Sequence, residues 1–306
     1  MKSRFMIQVA GVSLLAFAVS GCAVPGKTYA TPAEAMNAVA DVVGTGDTQR
    51  VEQIFGSGAM DVIGSGDPIA DRADAKRVKE MILEHLEFEG NDDEVVAVIG
   101  AQGWPFPIPL TRHGDGWRFD LDEGREELLN RRVGRNELST LVTLREYVIA
   151  QGEYAAVGRD GNPPAFAQAF RSTAGSHDGL YWPAAEGEPE SPLGPLIADA
   201  VEEGYVSRAK AAGESWPFHG YHYRILTRRG ADAPGGERDY IDGNGLMTLG
   251  FAVVAWPATC GKSGVMTFVV SHLGIIFEKD LGPGTTKVVR SMTSYEPDET
   301  WAPVSD

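Results

Sequence analysis

The sequence predicts an α+β protein: N-terminal helices with a small antiparallel sheet, a long central helix, and a C-terminal unit in which that helix packs on a second antiparallel sheet. Three observations carry this. The stretch Glu123 to Ala156 contains no proline. Along it Leu128, Leu129, Val133, Leu138, Leu141, Val142, Leu144, Tyr147, Val148 and Ile149 recur by threes and fours, the period of one broad helical face. Helix-start signals and then short alternating runs precede this stretch. After it, Met247 to Trp256 is almost wholly apolar, as a central strand buried on both faces is.

In order, Thr31-Pro32-Ala33-Glu34 starts a helix, with Thr31 as N-cap, Pro32 in the first position and Glu34 in the first turn. Gly44-Thr45-Gly46-Asp47 ends it and caps a second helix through Phe55, and a third covers Asp71 to Leu86. Strands follow at Glu94–Gly100, Pro107–Leu110 and Trp117–Leu121, the last two joined by a turn at His113-Gly114-Asp115-Gly116. In the long helix Glu123, Glu126 and Glu127 suit the positive end of the dipole. Gly134 is its weak point, where Asn136 could cap a second helix. Asp160-Gly161-Asn162-Pro163-Pro164 is a turn, Ala165–Arg171 a short helix, Glu186–Pro195 an exposed loop and Leu196–Val206 a helix. Tyr221–Leu226, Met247–Trp256, Val265–Ser271 and Ile275–Lys279 are strands, the last pair turning at His272-Leu273-Gly274. The tail from Tyr295 to Trp301 is expected to end on an aromatic contact.

The 306 residues allow one large or two medium domains, and 43% apolar content supports real cores. The net charge of −16 repels phosphate backbones, so no nucleic-acid partner is expected. Lys2 and Arg4 precede an apolar run, Ile7–Val19, too short to span a bilayer, and Val19-Ser20-Gly21-Cys22 then has the form of a bacterial lipobox. This resembles the bacterial lipoprotein export signal. The resemblance implies cleavage before Cys22 and acylation of its sulfur and new amino terminus, with each buried methylene contributing roughly 0.8 kcal/mol of anchoring. Ala23, not Asp, follows the cysteine, so the expected location is the outer membrane, facing the periplasm, with the bilayer as a partner through Cys22. Removal of residues 1–21 takes away two cations and leaves −18. The organisation expected is a signal peptide 1–21, a tether 22–30, a domain 31–122 and a long helix with its sheet 123–306. Cys260 then has no disulfide partner, and its context reads as the end of a buried strand where cysteine is a small apolar residue.

Several longer runs carry a family resemblance: Trp104-Pro105-Phe106-Pro107-Ile108-Pro109-Leu110, Arg131-Arg132-Val133-Gly134-Arg135-Asn136-Glu137-Leu138, Asp178-Gly179-Leu180-Tyr181-Trp182-Pro183, His219-Gly220-Tyr221 and Gly250-Phe251-Ala252. They resemble the bacterial family catalogued as domain of unknown function 2950, which implies an exported protein with no established activity. Residues 31–121, helices leading into a small sheet that ends in Gly-Trp-Arg-Phe, resemble the cone-shaped fold of the nuclear-transport-factor-2-like superfamily. Residues 136–280, with Asn136, Glu137, Ala150, Gln151 and Tyr154 on the helix and the later strands, resemble the soluble part of type IV pilins and pseudopilins. A pilin helix begins as an apolar stem. Here the preceding turns carry Arg125, Glu126, Glu127, Arg131, Arg132 and Arg135, each costing roughly 2.5 kcal/mol or more in hydrocarbon. That segment reads instead as a charged link, with the lipid on Cys22 replacing the stem.

Chemistry-bearing constellations are sparse. His219 and His222 are the best metal candidates, yet positions three apart on a strand face opposite sides, so no metal or other cofactor is expected. Asp160-Gly161-Asn162 and Asp242-Gly243-Asn244-Gly245 resemble pieces of calcium loops and suffice as turns. Ser176-His177-Asp178 holds the residue types of a triad, but triad members converge from separate places. Asp178 with Glu186 or Glu190 could form an acid pair. Trp104, Trp117, Tyr181, Trp182 and Trp216 could stack on a sugar or peptide, or close the edges of small cores. The first functional reading is a non-enzymatic envelope lipoprotein serving as an interaction or scaffold module for an envelope protein. The second is a small-ligand binder near Trp104 and Trp117 or at the loop Asp178–Pro183. The third is a hydrolase of envelope polymer acting through Asp178 and His219.

Overall fold

A computed structural model describes residues 24–65, 67–184, 187, 190–196, 217–233 and 235–305. The signal segment, Cys22, Glu186, Trp216 and nearly all of the helix expected at Leu196–Val206 lie outside them. The protein is α+β, with a long central helix between two antiparallel sheets.

The first core is built from α1 (Pro32–Val42), α2 (Thr48–Phe55), α3 (Ala59–Ile63) and α4 (Pro68–Glu84), followed by β1 (Leu86–Gly90), β2 (Glu94–Ile99), β3 (Trp104–Pro105), β4 (Leu110–His113) and β5 (Gly116–Phe119). The caps act as expected: Thr31 Oγ1 accepts from Glu34 N, and Asp47 Oδ1 from Arg50 N. Asp67 caps α4 through Ile69 N and Ala70 N. The strands run in the order β1-β2-β4-β5, with β3 on β2. Its interior is filled by side chains, with Met36, Val39, Ile99, Ile108 and Leu110 buried and Phe55 packed on Phe119 at 4.7 Å between centroids.

Three boundaries differ from expectation. The third helix stops at Glu84, because the chain from Leu86 pairs with β2. The strand expected at Pro107–Leu110 begins only at Leu110, since Pro107 and Pro109 have no N–H to give a ladder. Leu121 starts the long helix instead of ending β5, because Asp120 Oδ1 caps Glu123 N at 3.1 Å. The segment expected as a free tether is docked from Val24 onward: Tyr29 and Trp117 exchange backbone hydrogen bonds of 2.8 and 2.7 Å.

The long helix, α5 (Leu121–Ala155), is continuous over 35 residues, about 52 Å. It does not restart at Asn136. A Cβ at Gly134 would meet nothing within 4 Å. Gly134→Ala is therefore expected to raise unfolding free energy by about 0.5–1 kcal/mol in a urea titration. A loss would show that the helix needs glycine there.

The inward face of α5 is not the apolar stripe that spacing suggested. Arg132, Asn136, Thr140, Thr143 and Gln151 are buried beside Leu144, Tyr147, Ala150 and Tyr154, whereas Leu138, Val142 and Ile149 are 66%, 54% and 54% exposed. Each inward polar group has a fixed partner. Gln151 holds Ala167 by both its N–H and its C=O, each at 2.9 Å, and Phe166 pairs with Met247. With those backbone groups taken, Ala165–Arg171 is irregular and not helical.

The second core lies between α5 and a sheet of β6 (Tyr221–Leu226), β9 (Ala252–Pro257), β10 (Met266–Ser271), β11 (Ile276–Asp280) and β12 (Ala302–Pro303), ordered β12-β11-β10-β9-β6, all antiparallel. A small ribbon, β7 (Arg228–Arg229) with β8 (Arg238–Asp239), stands beside it. The central strand β9 is buried on both faces from Ala252 to Ala255, as its sequence implied. Tyr147 reaches the carbonyl of Ala252 from α5. On the other face Arg224 donates to the carbonyls of Val289 and Met292, at the end of α6 (Thr285–Ser291). The strand starts five residues later than expected. Gly250 bends the chain at φ 136°, where a Cβ would lie 2.8 Å from both Tyr240 and His272. The tail does end on an aromatic contact, with Lys279 over the buried Trp301. Cys260 sits half-buried in the turn after β9 instead of in the strand.

Candidate functional site

The two cores meet along a polar seam at the middle of α5. On one side Arg132, 6% exposed, donates to the carbonyls of Val62, Ile63 and Gly64 at 3.0, 2.5 and 3.1 Å. Burial draws its guanidinium below the usual arginine pKa, and the Asp71 carboxylate opposes that shift. Asp71 is itself pushed up by burial and pulled back by Ser65 and Arg132. Arg131 donates to the Pro105 carbonyl at 2.7 Å and lies over the Trp104 ring at 4.7 Å. Arg135 pairs with Asp74 on α4 at 2.7 Å.

The next turn of α5 holds the second sheet. Asn136 Nδ2 donates to Ser263 O at 2.8 Å. Glu137 Oε1 accepts from the N–H groups of Val265 and Met266, both at 2.9 Å, and from the Tyr221 hydroxyl at 3.4 Å. Burial first, then Glu137, pushes the Tyr221 pKa up, so the phenol remains a donor. Asp67, at the cap of α4, accepts from Gly220 N at 3.3 Å and so ties the first core directly to the entrance of β6. Gly220 has φ 76°, following His219 at φ 48°. A Cβ on Gly220 would fall 2.5 Å from Asn136 Nδ2.

The residues singled out as candidate chemistry do not converge. His219 sits at this seam, its ring tilted against Phe218 at 4.2 Å between centroids. Asp178 lies at the other end of α5, where the Tyr154 hydroxyl donates to His177 O at 2.6 Å. Asn136 and Tyr154 are roughly 27 Å apart along the helix at about 1.5 Å per residue. His222 packs on Trp256, and burial and then Arg290 lower its imidazole pKa. Among the described residues no group of three or more His, Cys, Asp or Glu is placed to hold a metal ion. His177 contacts Asp160, whose carboxyl is held low chiefly by the His177 backbone N–H, while Asp178 accepts from Thr173 N and Oγ1 at 2.7 and 2.9 Å. Asp242 accepts from Asn244 N, Leu246 N and Thr248 Oγ1, as a turn needs. Glu190 is exposed.

The aromatic candidates already carry cations: Arg131 over Trp104, Arg112 over the buried Trp117, Arg171 over Tyr181, and Arg159 over the buried Trp182. Beside Trp182 a cleft of about 120 Å³ is lined by Tyr154, Arg159, Asp160, Phe166 and Asp178. That is well below the roughly 300 Å³ at which organic ligands are enclosed. Arg159 Nε has no hydrogen-bond partner among the described residues.

A family profile matches residues 26–304, and its description is Protein of unknown function (DUF2950). The chain belongs to this family. No curated protein and no solved structure gives a match. The runs that carried the DUF2950 resemblance all meet α5. The proline-rich run packs on its first turns, where Gly124 leaves no room for a Cβ beside Ile108, and the arginine run is its middle. His219-Gly220-Tyr221 meets Asn136 and Glu137, Phe251 packs on Tyr147, and Trp182 is joined to Tyr154 through Arg159. Reading from sequence missed Asp67, Arg132, Glu137 and Gln151 as structural centres. The available signal was a second helical period, polar at 132, 136, 140, 143 and 151.

Proposed function

We propose that this protein is a membrane-anchored bacterial envelope lipoprotein that acts as an interaction module and not as an enzyme. The observation that carries the reading is the outward face of α5. Leu138, Val142 and Ile149 are more than half exposed and share one helical stripe about 16 Å long, with Arg145 within it and Glu146 at its edge. An apolar stripe that carries one cation suits an apolar groove holding an acidic group on another envelope protein. The inward polar groups of α5 hold the fold together, which leaves this face as the part on offer. Laying α5 on an antiparallel sheet supports the pilin-like reading of the C-terminal half. The separation of Asp178 from His219 weighs against the hydrolase reading, and the small Arg159 cleft weighs against the ligand-binding one.

Two measurements test this. Cys22→Ser is expected to move the protein from the membrane fraction to the soluble fraction; unchanged membrane attachment would sink the anchor. A photo-crosslinking residue at Val142 is expected to give a discrete adduct with an envelope protein, and one at Leu83, exposed on α4, is not. Equal yields at both positions would remove the docking role of the stripe.

A further inference from the structure

The start of the described chain has no slack. Val24 donates its N–H to Ser57 Oγ at 2.9 Å, and its carbonyl accepts from Ser57 N at 2.9 Å. Pro25 bridges Gly56, and Lys27 N donates to Gln53 O at 2.8 Å. A Cβ on Gly26 would lie 2.3 Å from Ile54 O, so the segment lies flat against the end of α2. Meanwhile the Val24 side chain is 67% exposed at this corner.

Cys22 is two positions before Val24. Two residues span at most about 7 Å. We infer that in the anchored protein the phospholipid surface lies directly against the corner formed by Val24, Gln53 and Ser57, with no spacer between lipid and fold. This rests on the anchor reading of Cys22. A flexible tether would let the body sample many orientations and distances. A two-residue connection to a pinned strand confines the α2–α3 corner to the headgroup layer, and an exposed valine fits that layer better than open water. The partner at this surface is the bilayer itself.

The test uses the full lipidated chain in vesicles of phosphatidylethanolamine and phosphatidylglycerol that carry a headgroup-proximal doxyl quencher. A bimane fluorophore is placed at the exposed Gln53 through Gln53→Cys, in a Cys260→Ser background. Strong quenching is expected. Insertion of twenty Gly/Ser residues between Ala23 and Val24 has a root-mean-square reach of roughly 25 Å, and should cut the quenching at least threefold without reducing vesicle association. Vesicle association with no quenching at Gln53, or quenching that the insertion leaves unchanged, overturns the placement alone. Association that does not depend on Cys22, or no association at all, overturns the anchor and the placement together.

Discussion

Arg132→Met is expected to lower the unfolding free energy by about 3–5 kcal/mol in a urea titration at pH 7, the range for breaking a buried charged network by removing one partner. Methionine is similarly long and fills much of the space, so lost volume is a minor part. The carbonyls of Val62, Ile63 and Gly64 lose their donors at a buried to half-buried site, and the half-buried Asp71 loses its nearby positive charge. The pH dependence identifies the cause. Asp71 has a folded pKa above its unfolded value because burial penalises the carboxylate, and Arg132 opposes that shift. In the variant the folded pKa rises further. An acid with a raised folded pKa contributes stability that is full below its unfolded pKa and is lost as pH rises through the folded one. The deficit relative to wild type should therefore shrink as pH falls from 7 toward 4. Adding Asp71→Asn should flatten that dependence. A deficit that does not vary with pH would assign the loss to the carbonyls alone.

Gly220→Ala is expected to cost about 3 kcal/mol, with two separable parts. A left-handed φ of 76° is unfavourable for alanine by roughly 1–2 kcal/mol. The new Cβ also displaces the Asn136 amide, 2.5 Å away, from its bond to Ser263 O, leaving buried polar groups unsatisfied at about 1–3 kcal/mol. Gly274→Ala separates the two. Its φ is 77°, but a Cβ there meets nothing within 4 Å, so it should show the backbone part alone, about 1 kcal/mol. Equal losses for the two variants would mean that the approach of Gly220 to α5 contributes nothing.

Much of the fold was legible in the sequence where local signals agree with tertiary context. The caps at Thr31 and Asp47, the continuous helix without proline, and the apolar β9 run all placed their elements. The failures have one physical theme. Ala165–Arg171 carries a helical composition, yet the buried Gln151 side chain takes the Ala167 backbone groups that a helix would use. On α5 the apolar residues Leu138, Val142 and Ile149 suggested an inward stripe, while the inward Arg132, Asn136 and Gln151 are matched to backbone groups outside the helix and Thr140 and Thr143 to carbonyls one turn back. Local periodicity contains no record of those distant partners. The candidate site was legible in a different sense. The unusual runs were visible, but Arg131, Arg132 and Arg135 read as a charged link when they grip β3, the C-terminal end of α3 and α4. The residues from Val24 to Ala30 read as slack because small and polar residues carry no periodicity, although Tyr29 pairs with Trp117.

The seam as a lock between two cores is tested most directly by amide hydrogen exchange on wild type and Arg132→Met under native conditions. Among the described residues, the hydrogen bonds of Arg132 outside its own helix go to residues 62–64 of the first core. If α5, Asp67 and Gly220 bind the cores into one body, the variant should speed exchange at Val265 and Met266, whose N–H groups are held by Glu137, as well as around residues 62–67. Faster exchange at residues 62–67 with unchanged protection at Val265 and Met266 would contradict the lock and leave two cores that merely share a helix.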